Sequence, residues 1–189
     1  MRTIVPRGAR LIPEHARRVF TGIMYDVYHW PQKMYDGKEA TFEMLKRVDS
    51  VKVVAIKDDK LVLVEERQPT HTRAYAMPGG RHDVESETEL ACAQRELKEE
   101  TGMIFKSWKL LTVVQPSDEM EWFIYIFLAT DFDHQEQRRL DSGEDIIVRH
   151  LTYEEVRKIV PSRSSLAALA SVLEQAGSVD GLRDLPAYS

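Results

Sequence analysis

Four glutamates of one short segment are the residues most able to do chemistry in this chain. Residues 86–100 contain no Gly or Pro and are rich in Ala, Leu, Glu, Gln, Arg and Lys, which predicts a helix. At about 100° per residue, Glu89, Glu96 and Glu100 lie within a narrow arc of that helix, and Glu99 lies about 60° to one side. The predicted helix therefore gathers its carboxylates along one side.

The flanking residues predict where this helix begins and ends. Ser86 or Thr88 can cap the first turn, and Gly102 can end the helix in a left-handed conformation. The apolar stripe that adjoins the carboxylates is expected to be buried and consists of Leu90, Ala93 and Leu97.

A cluster of carboxylates needs nearby positive charge, because its negative charges repel each other. Arg95 can pair with Glu99 four residues later, but one arginine cannot neutralise the cluster. Mg²⁺ or Mn²⁺ can, because a hard divalent cation takes carboxylate oxygens and shares its other positions with water and phosphate. Gly79 and Gly80 allow a close backbone approach beside the helix. A metal site for a phosphorylated substrate is one interpretation, and a solvated acidic helix face is the other.

The spacing of these residues resembles the signature of the Nudix hydrolases. Gly80 is followed after six residues by Glu87, and after seven more by RELKEETGM, residues 95–103. The family usually has five residues in the first interval, so this chain carries one extra residue in the loop 81–86. The resemblance implies an α/β fold, an α/β/α sandwich with a mixed β-sheet. It also implies cleavage of a nucleoside diphosphate linked to another group.

The resemblance also implies the roles of individual residues. Arg95 and Glu87 match the positions that orient the site, and we count them with Glu99 as catalytic. The implied ligands of the Mg²⁺ (or Mn²⁺) cofactor are the backbone carbonyl of Gly79 and the carboxylates of Glu96, Glu99 and Glu100.

The N-terminal third resembles the ADP-ribose pyrophosphatase branch of the same family. Residues 19–29 predict a strand that Pro31 ends, and Asp36-Gly37 predicts a turn. In that branch an N-terminal antiparallel β extension precedes the catalytic fold and often packs across a homodimer. Further strands are predicted at 41–46, 51–57, 61–65, 109–115, 121–130 and 146–151, and helices at 152–159 and 162–175.

Further candidate site residues are predicted near the entrance of the site. Arg67, before Pro69, matches an arginine that faces the substrate in that branch, and an exposed strand-end charge is the alternative. Gly80 and Arg81 are further predicted substrate contacts. Glu144 matches an additional glutamate that serves as metal ligand or base, with a surface carboxylate as the alternative.

Two stretches are predicted to be loops around this entrance. Residues 70–76 read as a mobile loop, and the polar residues 131–144 as a candidate lid. The first 15 residues, with two prolines and a glycine, are predicted to form a loosely held arm.

Composition limits the class of protein. The 189 residues, 43% of them hydrophobic, can bury one core. We expect an arm and β extension at 1–48, a Nudix hydrolase domain at 49–176 and a tail at 177–189. The net charge of −5 without a basic cluster argues against a nucleic-acid partner. The sequence has no apolar segment long enough to suggest a membrane partner, and a cytoplasmic location is expected.

The reaction that these expectations imply is attack of a metal-activated water on a pyrophosphate bond. The expected substrate is a small nucleotide, ADP-ribose in the first instance, which would give AMP and ribose 5-phosphate. Nucleoside triphosphates and dinucleoside polyphosphates are the alternatives among enzymes. A nucleotide-binding sensor without catalysis is the alternative of another class.

Overall fold

The computed structural model describes residues 2–69, 71–140, 143, 145–162 and 166–188. The strands are β1 Arg17–Thr21, β2 Asp26–Lys33, β3 Glu39–Lys46, β4 Ser50–Lys57, β5 Lys60–Gln68, β6 His71–Ala76, β7 Met103–Val114, β8 Met120–Glu121, β9 Ile124–Gln135 and β10 Asp145–Leu151. The helices are α1 Glu89–Thr101, α2 Tyr153–Ile159, α3 Ala167–Ala176 and α4 Val179–Asp184, with a 3-10 turn at Val160–Ser162.

The larger sheet lies at the centre of the fold. Its strand order is β10-β5-β4-β9-β7, with β4 and β9 parallel and β6 added to β5. Because successive side chains of a strand point to opposite faces, the apolar run of β4 fills two cores. Val51 and Val53 pack with Leu97 of α1, whereas Val54 packs with Leu169 of α3 on the other face.

Helices cover both faces of this sheet. Helix α1 contributes Cys92, Ala93 and Leu97 to one core, and α2, α3 and α4 form the other. This arrangement confirms the predicted α/β/α sandwich with a mixed sheet. Leu182 of α4, within the residues expected to form a tail, is completely buried. None of the described helices is long and apolar enough to span a membrane.

The smaller sheet has the order β1-β2-β3-β8 and corrects two expectations about the N-terminal third. The predicted strand at 19–29 is two strands, because the chain turns where the Gly22 N–H donates to the Tyr25 carbonyl at 3.0 Å. Pro31 does not end β2, which continues to Lys33. The pairing of β2 with β1 stops at His29, so Pro31 lies where its missing N–H breaks no bond to β1.

The N-terminal segment is not a loose arm but is bound across the domain. Two guanidinium nitrogens of Arg2 donate to Asp49 at 2.7 and 3.0 Å, and the third donates to Glu121 at 3.1 Å. The backbone N–H of Thr3 donates to Glu89, the first residue of α1, at 2.6 Å. Asp49, Glu121 and Glu89 are buried, so these bonds help to satisfy carboxylates in the interior of the domain.

The two segments predicted to be loops at the entrance of the site, residues 70–76 and 131–144, both include residues of a β-strand. Residues 71–76 form β6, since Arg73 and Thr72 pair with β5, and Thr70 lies outside the described residues. Strand β9 extends through Gln135, which pairs with Met103.

Two of the described residues after β9, Glu136 and Arg139, are bound by their backbones to the end of α1. The Glu136 N–H donates to the Gly102 carbonyl at 2.7 Å, and the Arg139 N–H donates to the Glu99 carbonyl at 3.1 Å. Asp141, Ser142 and Glu144 lie outside the described residues. The predicted helix at 162–175 is α3, which begins at Ala167, and residues 163–165 are likewise not described.

Candidate active site

Helix α1 carries the candidate site, and its ends are those that the sequence predicted. The Thr88 hydroxyl accepts a bond from the Ala91 N–H at 3.1 Å, and Gly102 ends the helix with φ of 74°. The buried face is Cys92, Ala93 and Leu97. Leu90 was expected on that face but is 38% exposed. It lies in the first turn of α1, two turns before the fully buried Leu97.

The Arg95 guanidinium connects the loop before α1 with the carboxylates on α1. It donates to both oxygens of Glu87, from Nε at 2.9 Å and from Nη2 at 3.1 Å. Its Nη1 donates to Glu96 at 2.7 Å and to Glu99 at 3.0 Å. Hydrogen bonding and the charge of Arg95 hold the pKa of Glu87 below its ordinary value, so Glu87 is ionised at neutral pH.

Glu100 lies deeper than the other carboxylates of the cluster. Its Oε2 accepts a bond from the Gly79 N–H at 2.9 Å. Burial raises the pKa of Glu100 to about 8, and the neighbouring charge of Glu96 acts in the same direction. Burial also raises the pKa of Glu96, against the opposing effect of Arg95. Both carboxyls are therefore costly to ionise without additional positive charge.

The two glycines before α1 bring the backbone close to these carboxylates. A Cβ atom at Gly80 would overlap the carboxylate of Glu96. A Cβ atom at Gly79 would overlap the carbonyl of Val51 in β4, and the φ of 131° at Gly79 is one that L-residues rarely adopt. Glycine is thus required at Gly79 for the loop to lie between β4 and α1, whereas a side chain at Gly80 would displace the carboxylate of Glu96.

Lys52 of β4 is a residue of the site that the sequence reasoning did not identify. Its Nζ donates to the carbonyl oxygen of Gly79 at 2.6 Å and to that of Met77 at 3.2 Å. Burial lowers the pKa of Lys52, and the charge of Glu100 opposes that effect. The available signal was a lone lysine in the otherwise apolar run SVKVVAI, residues 50–56.

On β5, Glu66 rather than Arg67 belongs to the electrostatic surroundings of the carboxylate cluster. Glu66 is 7% exposed, accepts a bond from Arg73 at 2.8 Å, and its charge raises the pKa of Glu100. Arg67 points to the opposite face of the strand, is exposed, and pairs in register with Asp145 of β10.

The remaining predicted residues lie at the rim or outside the described residues. Arg81 is exposed and lies 3.4 Å from the carboxylate of Asp83, while its backbone carbonyl faces Arg95 at 3.5 Å. Glu144, the predicted additional metal ligand or base, is outside the described residues.

The donor atoms of the cluster suit a hard divalent cation. Carboxylate oxygens are the ligands that Mg²⁺ and Mn²⁺ prefer, and a cation would offset the burial of Glu96 and Glu100. Among the described residues, however, no group of three or more acidic, histidine or cysteine side chains already converges on one point. The reason is visible in the contacts, since Glu96 and Glu99 are bound by Arg95 and Glu100 by the Gly79 N–H.

Comparison with known proteins agrees with this geometry. Residues 46–169 match the NUDIX domain family, so the chain belongs to that family. The chain is 31% identical over 150 residues to the "ADP-ribose pyrophosphatase" of Bacillus subtilis (strain 168), covering 77% of this chain and 80% of that protein. A solved "ADP compounds hydrolase" superposes with a TM-score of 0.67 at 19% identity, covering 90% of this chain and 91% of the other. The second likeness shows that the fold is shared.

Proposed function

We propose that this protein is a divalent-metal-dependent pyrophosphohydrolase whose substrate is ADP-ribose, giving AMP and ribose 5-phosphate. The observation that carries the proposal is the cluster in which Arg95 links Glu87 in the loop to Glu96 and Glu99 on α1. The 31% identity with a protein named ADP-ribose pyrophosphatase supports the choice of substrate.

In the proposed mechanism three carboxylates of α1 share the metal. Glu96, Glu99 and Glu100 would hold Mg²⁺ or Mn²⁺. When bound, such ions lower the pKa of the attacking water and neutralise charge on the phosphates. The side chain of Glu99 is 39% exposed and that of Glu96 only 15%, so Glu99 is the more accessible to water and substrate.

The bond changes then follow directly. The water oxygen attacks one phosphorus of the pyrophosphate, the bridging P–O bond breaks, and a glutamate accepts the proton of the water. Glu99 and Glu144 are the proposed acceptors. Gly80 and Arg81 are the proposed contacts to the substrate, and Arg95 and Glu87 orient the carboxylates. Arg67 is not included, because it points to the face of β5 opposite to the cluster.

Steady-state kinetics with Mg²⁺ test the substrate class. ADP-ribose, other nucleoside diphosphate sugars, dinucleoside polyphosphates and the four deoxynucleoside triphosphates are compared on the wild type and on Glu144→Gln. Loss of kcat for ADP-ribose with little change in KM is expected, because a base acts mainly in the transition state. Faster cleavage of triphosphates, unaffected by Glu144→Gln, would show that both the substrate and this role are wrong.

A homodimer formed through the smaller sheet is part of the proposal. Phe20 at the end of β1 is 58% exposed and Ile23 in the following turn is 94% exposed. Burying such side chains is a favourable contribution to association. Light scattering should therefore give twice the chain mass for the wild type and the single-chain mass for Phe20→Glu. Tyr35→Glu is the control and should stay dimeric, because Tyr35 is an exposed aromatic residue in the turn between β2 and β3. A monomeric wild type would exclude the dimer. A cytoplasmic location and the lack of a nucleic-acid partner stay predictions.

A further inference from the structure

Lys52 brings a positive charge to the carboxylate cluster from the side of the sheet. Its neighbours Val51 and Val53 are completely buried, so the backbone of β4 is fixed on both sides of Lys52. The ammonium group contacts two carbonyl oxygens, at 2.6 Å for Gly79 and 3.2 Å for Met77. Lys52 is thus held at the loop by its own hydrogen bonds and by its strand.

The contact with Gly79 links Lys52 directly to Glu100. The Gly79 carbonyl accepts from Lys52, and the Gly79 N–H donates to Glu100 at 2.9 Å. The carboxylates of Glu100, Glu66 and Glu96 are all close enough to attract the Lys52 charge. Arg95 binds Glu96 and Glu99, whereas the positive charge of Lys52 lies near the more buried Glu100.

We infer that the Lys52 ammonium acts as a built-in cation of the site and takes the place that a divalent ion would occupy at the Gly79 carbonyl. This inference rests on the proposed metal-dependent function. Its consequence is that divalent ions bind the carboxylates without the Gly79 oxygen, and that the site holds fewer of them than the same site without Lys52.

The physical reason is competition for the same oxygen. An ammonium group 2.6 Å from a carbonyl oxygen excludes a metal ion from the same side of that oxygen by size and by charge repulsion. Lysine is an ammonium with three donors and no acceptor, so it can bind the carbonyls but cannot itself be a metal ligand while protonated. The charge it supplies is single and covalently attached to β4, whereas a bound ion exchanges with solvent.

Counting bound ions tests the inference. Mn²⁺ is titrated into the metal-free protein, and the free ion is quantified by its paramagnetic resonance signal. Lys52→Met keeps an unbranched side chain, shorter by the terminal nitrogen, and removes the charge, so we expect one more Mn²⁺ per chain than in the wild type. Lys52→Arg retains the charge and should bind the wild-type number. Lys60→Met is the matched control and should also bind the wild-type number, because Lys60 is an exposed lysine at the start of β5.

Each variant that lacks the Lys52 charge must be shown to fold before its Mn²⁺ binding is compared with that of the wild type. Near-ultraviolet circular dichroism reports folding, and Lys52→Gln provides a second neutral variant whose amide can still donate to one of the two carbonyls. An extra Mn²⁺, or at least a tenfold gain in affinity, is expected in each neutral variant that folds. Unchanged number and affinity in folded Lys52→Met or Lys52→Gln would overturn the inference.

Failure of this inference can be told apart from failure of the proposed function. Mn²⁺ binding by the wild type that is lost in Glu99→Gln keeps the proposed metal site even if Lys52→Met changes nothing. No Mn²⁺ binding in the wild type or in the Lys52 variants would overturn both. Mg²⁺ dependence of ADP-ribose turnover provides the second readout, with half-maximal activity expected at a lower Mg²⁺ concentration in Lys52→Met.

Discussion

The guanidinium of Arg95 on α1 binds both carboxylate oxygens of Glu87, at 2.9 and 3.1 Å. A paired contact of this kind fixes direction as well as distance, because two parallel bonds resist rotation. Glu87 precedes the helix and Arg95 lies two turns into it, so the pair ties the glycine loop to the helix that carries the proposed metal-binding carboxylates.

Arg95→Lys should therefore disturb the site although the positive charge is kept. A lysine cannot bind Glu87 through two parallel bonds while also reaching Glu96 and Glu99. We expect kcat to fall at least tenfold and the free energy of unfolding to fall by about 1–3 kcal/mol. Chemical denaturation and turnover of ADP-ribose measure the two effects. Arg149→Lys is the control, since Arg149 makes a similar paired contact with Glu65 on the exposed surface. Equal effects in both variants would contradict the orienting role.

Glu100→Gln should separate catalysis from stability. The substitution keeps the shape of the side chain but removes a charge that the proposed metal site needs, so kcat/KM should fall by about 100-fold or more. Because burial raises the pKa of Glu100 to about 8, the neutral amide should not destabilise the metal-free protein at neutral pH. Thermal melting and kinetics are compared with Glu85→Gln, an exposed acid in the preceding loop. A folded Glu100→Gln protein with normal turnover would disprove the site.

Millimolar Mg²⁺ should raise the melting temperature. Metal binds the folded site and not the unfolded chain, so it stabilises the protein by mass action. The shift should be several degrees in the wild type and smaller in Glu96→Gln, which lacks one of the proposed ligands. Scanning calorimetry with and without chelator measures it. An identical shift in both proteins would mean that the ion binds elsewhere.

Acid should release the N-terminal segment from α1. Burial acts to raise the pKa of Glu89, but the hydrogen bonds from Thr3 and Ile4 outweigh it and hold the pKa below the ordinary value of 4.5. A carboxyl with a depressed folded-state pKa contributes stability above its unfolded pKa and loses it as pH falls through the folded pKa. Stability should thus decline below about pH 4.5 in the wild type and decline less steeply in Glu89→Gln.

Urea unfolding at a series of pH values tests this, with hydrogen exchange of the Thr3 and Ile4 amides as the local readout. Glu14→Gln, an exposed acid of the same segment, is the control and should follow the wild type. If Glu89→Gln and the wild type show the same pH dependence, the bond to Thr3 does not contribute to stability.

Features decided by local geometry could be predicted from the sequence. The carboxylate helix, the Thr88 cap and the Gly102 end all depend on residues within one or two turns of each other. Runs of apolar residues likewise predicted most strands of the central sheet. The spacing of the glutamates was sufficient to identify the family that residues 46–169 match.

Tertiary structure decided which of the predicted residues share an environment. Glu89 falls on the same arc of α1 as Glu96 and Glu100, yet it binds Thr3 at the far end of the helix, because an arc fixes direction but not position along the axis. Residues 71–76 form a strand only because β5 lies beside them. The face of β5 that turns toward α1 carries Glu66, and pairing register rather than composition determines that choice.

Lys52 shows the same limit most clearly. It is 27 residues from Gly79 in the sequence, and only the packing of the glycine loop along β4 brings its ammonium to the Gly79 carbonyl. The local chemistry of a helix can be read from adjacent residues, since hydrogen bonds and periodicity act over a few positions. The set of charges that meet around Glu100 comes from β4, β5, β6 and α1, and chain topology alone brings those four elements together.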